Sequence, residues 1–189
     1  MFDAVSKQDV SSIGVVHTDG RPTRWGTEVL VEKDGKKLVV LSVHLKSGCF
    51  DRNLEQPTTD HCRTLAKQRE PLEAWIDEHT TYGVPFVIAG DFNRRFDVYG
   101  QSDHLWQEID DGEPTGLDLW RLLFRKESDC WRGTSRHHKD FIDFLVFDEQ
   151  AKALVDEHSF VQLIYDSKDQ NLEDQTPSDH CPIAVEMDL

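Results

Sequence analysis

The chain has 189 residues, 38% hydrophobic and 10% aromatic, which is enough apolar material for one domain with a sizeable core. Its formal charge of −15, from 36 acidic against 21 basic residues, excludes a protein that grips nucleic acid passively through a broad basic field. The same charge suits a site whose acidic groups gather cations that then meet phosphates.

No apolar run reaches the length of a membrane span. Met1 to Asp19 is polar and mixed, with neither a secretory apolar core nor a basic transit segment, so the compartment stays unassigned. Residues 1–24 give no clear element. A hairpin follows, in which Gly26 to Val31 leads through Glu32-Lys33-Asp34-Gly35 into Lys37 to Leu45, with Asp34-Gly35 the tight-turn signal. Lys46 to His61, holding Gly48 and Pro57, is a loop. Cys62 to His79 places Leu65, Leu72, Trp75, Ile76 and His79 on one helical stripe, and Pro71 predicts a kink or a fresh start within it.

Pro85 to Ala89 is a buried-strand pattern that runs into Gly90-Asp91-Phe92-Asn93. Ser102 to Ile109 reads as a short helix, Asp110 to Gly116 as a loop and Leu117 to Phe124 as a further helix. Phe141 to Phe147, Ser159 to Tyr165 and Cys181 to Met187 read as strands, with Asp166 to Ser178 a long surface loop. Strands alternating with helices indicate a layered α/β or α+β class. The four cysteines, Cys49, Cys62, Cys130 and Cys181, lack zinc-site spacing. Cys49 and Cys62 bracket one loop and are a candidate disulfide, against the plainer reading of four separate thiols.

Four segments end apolar strands in polar groups, where open α/β sheets build their sites. They are Ser42-Val43-His44-Leu45-Lys46-Ser47-Gly48, Ala89-Gly90-Asp91-Phe92-Asn93, Phe141-Ile142-Asp143-Phe144 and Pro177-Ser178-Asp179-His180-Cys181-Pro182. Taken singly, each has a structural explanation: an Asx turn for Asp91 to Asn93, a turn or helix cap at Ser178 to His180, a core histidine for His44. Asp143 is harder to explain that way, because an acid inside an apolar run costs several kcal/mol unless a histidine, arginine or metal partners it.

In combination, and in this order, the HLKSG, GDFN, IDF and SDH motifs resemble the endonuclease/exonuclease/phosphatase superfamily, the DNase-type fold, over about Trp25 to the C-terminus. The resemblance implies a β-sandwich flanked by helices and a metal-dependent phosphoesterase acting on phosphodiesters, nuclease-like, or on phosphomonoesters. It implies that Asp91 positions the attacking water and contacts metal, that Asn93 bonds a phosphate oxygen, and that Asp179 is the metal-proximal carboxylate. His180 then binds the phosphate or shuttles its proton, Asp143 orients His180, and His44 donates to the phosphate. Mg²⁺ or Mn²⁺ is the implied cofactor, since carboxylate oxygens suit hard cations. Lys46, Arg94 and Arg95 flank these motifs as candidate phosphate contacts, with solvated surface charge as the alternative. The basic group Arg132, Arg136, His137, His138 and Lys139 reads as a substrate-guiding loop or an ordinary surface loop, and Trp131 as a core-edge aromatic or a stacking platform.

One part of the family pattern has no match. Its metal-binding Glu, within a QE dipeptide, has no counterpart before His44, and Glu28 and Glu32 lie too close to it. The expectation is therefore residues 25–189 as the C-terminal portion of a domain incomplete at its N-terminus. An apolar sheet face would then lack its cover, implying an oligomer, poor solubility or a partner segment. The alternative function is a catalytically incomplete fragment or non-enzymatic interaction module of the same fold.

Overall fold

The structure, a computed structural model, describes residues 3–15, 20–122, 126–165 and 177–189. At the predicted hairpin, Asp34 and Gly35 take φ of 51° and 79°, the two-residue geometry that matches strand twist. Strands β2 (Gly26–Lys33) and β3 (Lys36–His44) accordingly pair antiparallel, with Thr27 opposite Ser42. Strand β1 (Asp3–Val10), not anticipated in the weakly patterned N-terminal segment, adds to β2 as an edge with a bulge between Ala4 and Ser6.

Helix α1 (Asp60–Tyr82) starts on Thr59, whose hydroxyl accepts from the Cys62 amide at 3.3 Å, and ends at Gly83 in the left-handed region. It continues uninterrupted through Pro71, so no fresh helix starts there. Proline inside a helix costs about 3 kcal/mol. The buried stripe on both sides of it, Leu65, Leu72, Trp75 and Ile76, packs into one core against the sheet, and that continuity outweighs the lost hydrogen bond.

Strand β4 (Phe86–Asp91) lies parallel to β3, and α2 (Phe96–Tyr99) and α3 (His104–Ile109) follow. Asp103 caps α3 by accepting from the amides of Leu105 and Trp106. The predicted helix from Leu117 is replaced by a short strand, β5 (Trp120–Arg121), opposite Phe147 and Val146. Pairing with a buried strand overrides helical propensity there, and residues 123–125 lie outside the described set. Strand β6 (Asp143–Phe147), helix α4 (Glu149–Lys152), β7 (Val155–Gln162) and β8 (Ile183–Met187) complete the fold. Of the predicted loop from Asp166 to Ser178, residues 166–176 lie outside the described set.

The strands form a six-stranded sheet in the order β1-β2-β3-β4-β6-β5 and a two-stranded sheet of β7 and β8. One face of the large sheet presents Leu41, Val43, Phe86, Ile88, Phe144 and Val146 to α1 and α3. The other presents Leu38, Val87 and Phe147 to Ala151 of α4, Leu189 and the apolar residues of β7 and β8. This is the layered α/β architecture expected from the sequence. On that second face Val29, Val31, Val40, Ala89 and Leu145 are only half-buried. Both halves of the cysteine set are bonded, Cys49 to Cys62 and Cys130 to Cys181, so the candidate pair forms and a second bond joins it.

Two local features test this packing. Gly90, in β4, has φ of 143°, and a Cβ there would sit 2.1 Å from the Val43 carbonyl oxygen. Gly90→Ala should lower stability by about 3 kcal/mol or more in urea unfolding, since both the conformation and the clash oppose it. On α1, both carboxylate oxygens of Glu73 and Oδ1 of Asp77 are shut off from solvent, and the two carboxyls are close enough to share a proton. Burial, with Asp77, Asp111 and Glu108 nearby, pushes the Glu73 carboxyl up to about 8 from 4.5. The folded state thus keeps a proton that the unfolded chain releases, so stability is full below the unfolded pKa and falls as pH rises through 8. Glu73→Gln should raise the melting temperature at about pH 8.5 and leave it unchanged at about pH 4.

Candidate active site

Strand register assembles the site. His44 is the Cα partner of Asp91 across the parallel β3–β4 ladder, and Asp91 is the partner of Asp143 across the antiparallel β4–β6 ladder. Side chains alternate along strands, so the three fall on the face opposite α1, in one row. The ladders continue past the row, with Leu45 N donating to Asp91 O at 2.8 Å and Phe92 N to Ile142 O at 2.9 Å. His180, just ahead of β8, reaches the row from above: its Nδ1 lies 2.7 Å from Asp143 Oδ2 and its Nε2 4.0 Å from Asp91 Oδ2.

Asp91 is 7% exposed and held by Asn93, whose backbone amide donates to Oδ1 and whose Nδ2 donates to Oδ2, each at 2.7 Å. Asn93 adopts φ of 53°, a left-handed conformation that asparagine tolerates, and its Nδ2 also donates to Leu45 O at 3.0 Å. Both amide protons of the Asn93 side chain are thus committed to fixing the carboxylate between β3 and β4. Burial raises the Asp91 pKa, with Asp143 adding to it and Asn93 and the two histidines opposing. Asp143 is also raised, by burial first, against the pull of His180.

The two histidines are driven apart. Burial lowers the pKa of His44, and Arg24 and His180 lower it further, outweighing Asp91 at 3.5 Å. Arg24 Nη1 lies 2.7 Å from His44 Nε2, and a guanidinium only donates, so that nitrogen accepts and the proton sits on Nδ1. Burial opposes a charge on His180 too, yet Asp143, Asp91 and Asp179 together hold it above the ordinary imidazole range.

These residues line a cavity of about 310 Å³ with Ser47, Phe50, Arg95, Arg136, His138, Phe141 and Asp179 among its walls. Ligand atoms of Asp91, Asp143 and His180 lie within 4.8 Å of one another, close enough to share one cation. Asp179 is on the rim, its side chain 78% exposed and Oδ1 3.9 Å from His180 Nε2. Glu28 is remote from the site: its carboxylate takes hydrogen bonds from Gln8 and Trp75 and pairs with His79 at 3.1 Å. No glutamate lines the cavity among the described residues.

The candidate phosphate contacts divide. Arg95 lines the cavity, whereas Lys46 does not. Arg94 is a correction: it is 1% exposed, pairs with Asp103 at 2.5 Å and donates to the carbonyls of Cys49 and Arg52. A guanidinium buried against its own acid anchors the loop beneath the site and offers nothing to a substrate. Trp131 is a core-edge aromatic, 4% exposed, with Nε1 donating to Ser178 O at 3.1 Å. Sequence reasoning missed Arg24 and Phe50. Neither stands in a strand-end motif, and only the approach of their loops to the cavity and to His44 marks them.

No sequence-family profile matches the chain, and no curated protein matches it. Solved structures do. A 3'-5' exonuclease from Neisseria meningitidis superposes with a TM-score of 0.60 at 18% identity, over 98% of this chain and 72% of its own. A mannosyl-6-phosphatase from Bacteroides thetaiotaomicron gives 0.58 at 16% identity, over 100% and 67%. An endonuclease/exonuclease/phosphatase family protein from Leptotrichia buccalis gives 0.57 at 14%, over 99% and 62%. The chain spans 60% of the length of the human Nocturnin catalytic domain, which it also resembles at a TM-score of 0.50. At these identities the likeness concerns architecture, and on that ground the chain has the fold of the endonuclease/exonuclease/phosphatase superfamily.

Proposed function

We propose that the protein is a divalent-metal-dependent phosphoesterase that hydrolyses phosphodiester bonds in a nuclease-like manner, with phosphomonoesters as the neighbouring substrate class. The observation that carries this reading is the row of His44, Asp91 and Asp143 with His180 closing over it, two acids and two histidines of opposite proton affinity facing one cavity. His180, kept charged by Asp143, donates to a phosphate oxygen and later to the leaving oxygen. Asp91, fixed by Asn93, accepts from the attacking water and aims it. His44, neutral and with Nε2 turned to Arg24, supports a phosphate on the opposite side from His180.

Asp91 and Asp143, with Asp179 on the rim, are the residues that would hold Mg²⁺ or Mn²⁺, since carboxylate oxygens suit hard cations, and this leaves His180 free for its proton role. The donor set fits such an ion because burial raises the proton affinity of both carboxylates, and Asp143 raises that of Asp91 further, a cost of buried negative charge that a cation relieves. When bound, the ion neutralises charge developing on the phosphate.

A second reading, a non-catalytic interaction module, draws support from the cavity's lack of a glutamate among the described residues. Incubation with supercoiled plasmid and with bis-p-nitrophenyl phosphate separates the two. Turnover should require Mg²⁺ or Mn²⁺, stop with EDTA, and fall by about 10³-fold or more in Asp91→Ala. No turnover with either ion would leave the second reading standing, and metal-independent turnover would overturn both.

A further inference from the structure

The cavity wall contains two arginines in different surroundings. Arg95 lies 3.6 Å from both Asp51 and Asp140, so its charge is matched within the protein. Arg136 lines the same cavity, and among the described residues no carboxylate pairs with it; its guanidinium rests 4.8 Å from the centroid of the Trp131 ring. Trp131 is fixed through Nε1 to Ser178 O, and its neighbour Cys130 is bonded to Cys181, the residue after His180. His137, next to Arg136, places Nε2 3.0 Å from Ser128 O and pins the loop a third time. Arg136 is thus a cation delivered to the cavity by a loop clasped to the catalytic turn.

The contrast with its neighbours matters in a chain of net charge −15. Arg132 on the same loop is off the cavity wall and pairs with Asp129. Phe50 and Phe141 give the same cavity apolar wall, and a volume of about 310 Å³ is at the small end for ligand sites. A planar guanidinium without a carboxylate partner among the described residues, in a cavity that also carries aromatic wall, matches a phosphate joined to a base-bearing sugar.

We propose that Arg136 binds a second phosphate of the substrate, one flanking the scissile phosphate, and so selects nucleotide phosphodiesters over esters carrying a single phosphate. This rests on the phosphoesterase reading, and the experiment separates the two. Arg136→Gln is compared with the unaltered protein on a 5′-phosphorylated thymidine dinucleotide and on bis-p-nitrophenyl phosphate, each with Mg²⁺. KM for the dinucleotide should rise about tenfold or more with kcat little changed, while KM for the single-phosphate ester moves less than about twofold. Arg136→Lys should recover part of the loss, and Arg132→Gln, the same charge change away from the cavity, should leave both substrates unaffected. An equal rise on both substrates, or the same rise in Arg132→Gln, overturns the proposal. Calorimetric binding in EDTA of the dinucleotide with and without its 5′-phosphate provides a readout free of turnover. The unaltered protein should prefer the phosphorylated form, and Arg136→Gln should erase that preference. Absence of turnover by the unaltered protein would count against the phosphoesterase reading alone, and an undiminished preference in Arg136→Gln against Arg136 alone.

Discussion

The site depends on the close approach of β3 and β4 at Gly90. A side chain there would meet the Val43 carbonyl, so only glycine lets the two strands run parallel to their ends and bring His44 level with Asp91. The antiparallel ladder to β6 then sets Asp143 in the same row. A register slip of one residue on any of the three strands would turn its functional side chain to the α1 face, into an apolar core. The large hydrophobic cluster against α1 is therefore also what holds the chemistry in place, because it fixes which face each strand residue takes.

Within the row, environment makes similar groups different. His44 and His180 share Asp91, yet one stands beside a guanidinium and the other against a second carboxylate. Burial lowers the proton affinity of both, and only at His180 do the carboxylates of Asp143, Asp91 and Asp179 outweigh it, so the two move in opposite directions. Asp91 has no comparable freedom. Asn93 and the strand backbone immobilise it, so its two oxygens hold one orientation toward the cavity.

The loops around the row are held by means other than regular structure. Arg94 gathers the carbonyls of Cys49 and Arg52 and pairs with Asp103, while the Cys49–Cys62 bond ties the same loop to the first turn of α1. On the other side, Cys130–Cys181 and the Trp131–Ser178 hydrogen bond join the basic loop to the turn that carries Asp179 and His180. Disulfides of this kind chiefly limit the unfolded chain. Here both also end within a few residues of cavity walls, so order in the loops and order in the site are the same property.

The alternation of apolar and polar residues and the Asp34-Gly35 turn made the hairpin, β4, β6 and β8 legible, because strand period and turn chemistry are local properties. Of the candidate site residues only Asp143 stood out by cost, as an acid inside an apolar run; His44, Asp91, Asn93, Asp179 and His180 stood out through the order of the motifs that carry them. Locality was insufficient elsewhere. Pro71 breaks helices in isolation but not when a continuous core holds both sides, and Trp120-Arg121 follow the ladder offered by β6 in preference to their own propensity. Arg94 and Arg136 are indistinguishable as sequence symbols, and burial against Asp103 or exposure in a cavity decides what each does. The sequence by itself thus determined the strands, their order and the chemical groups at their ends. Which cations line the cavity, how the cysteines pair and how the histidines divide their protons were decided only by the tertiary structure, since each depends on contacts between residues far apart in the chain.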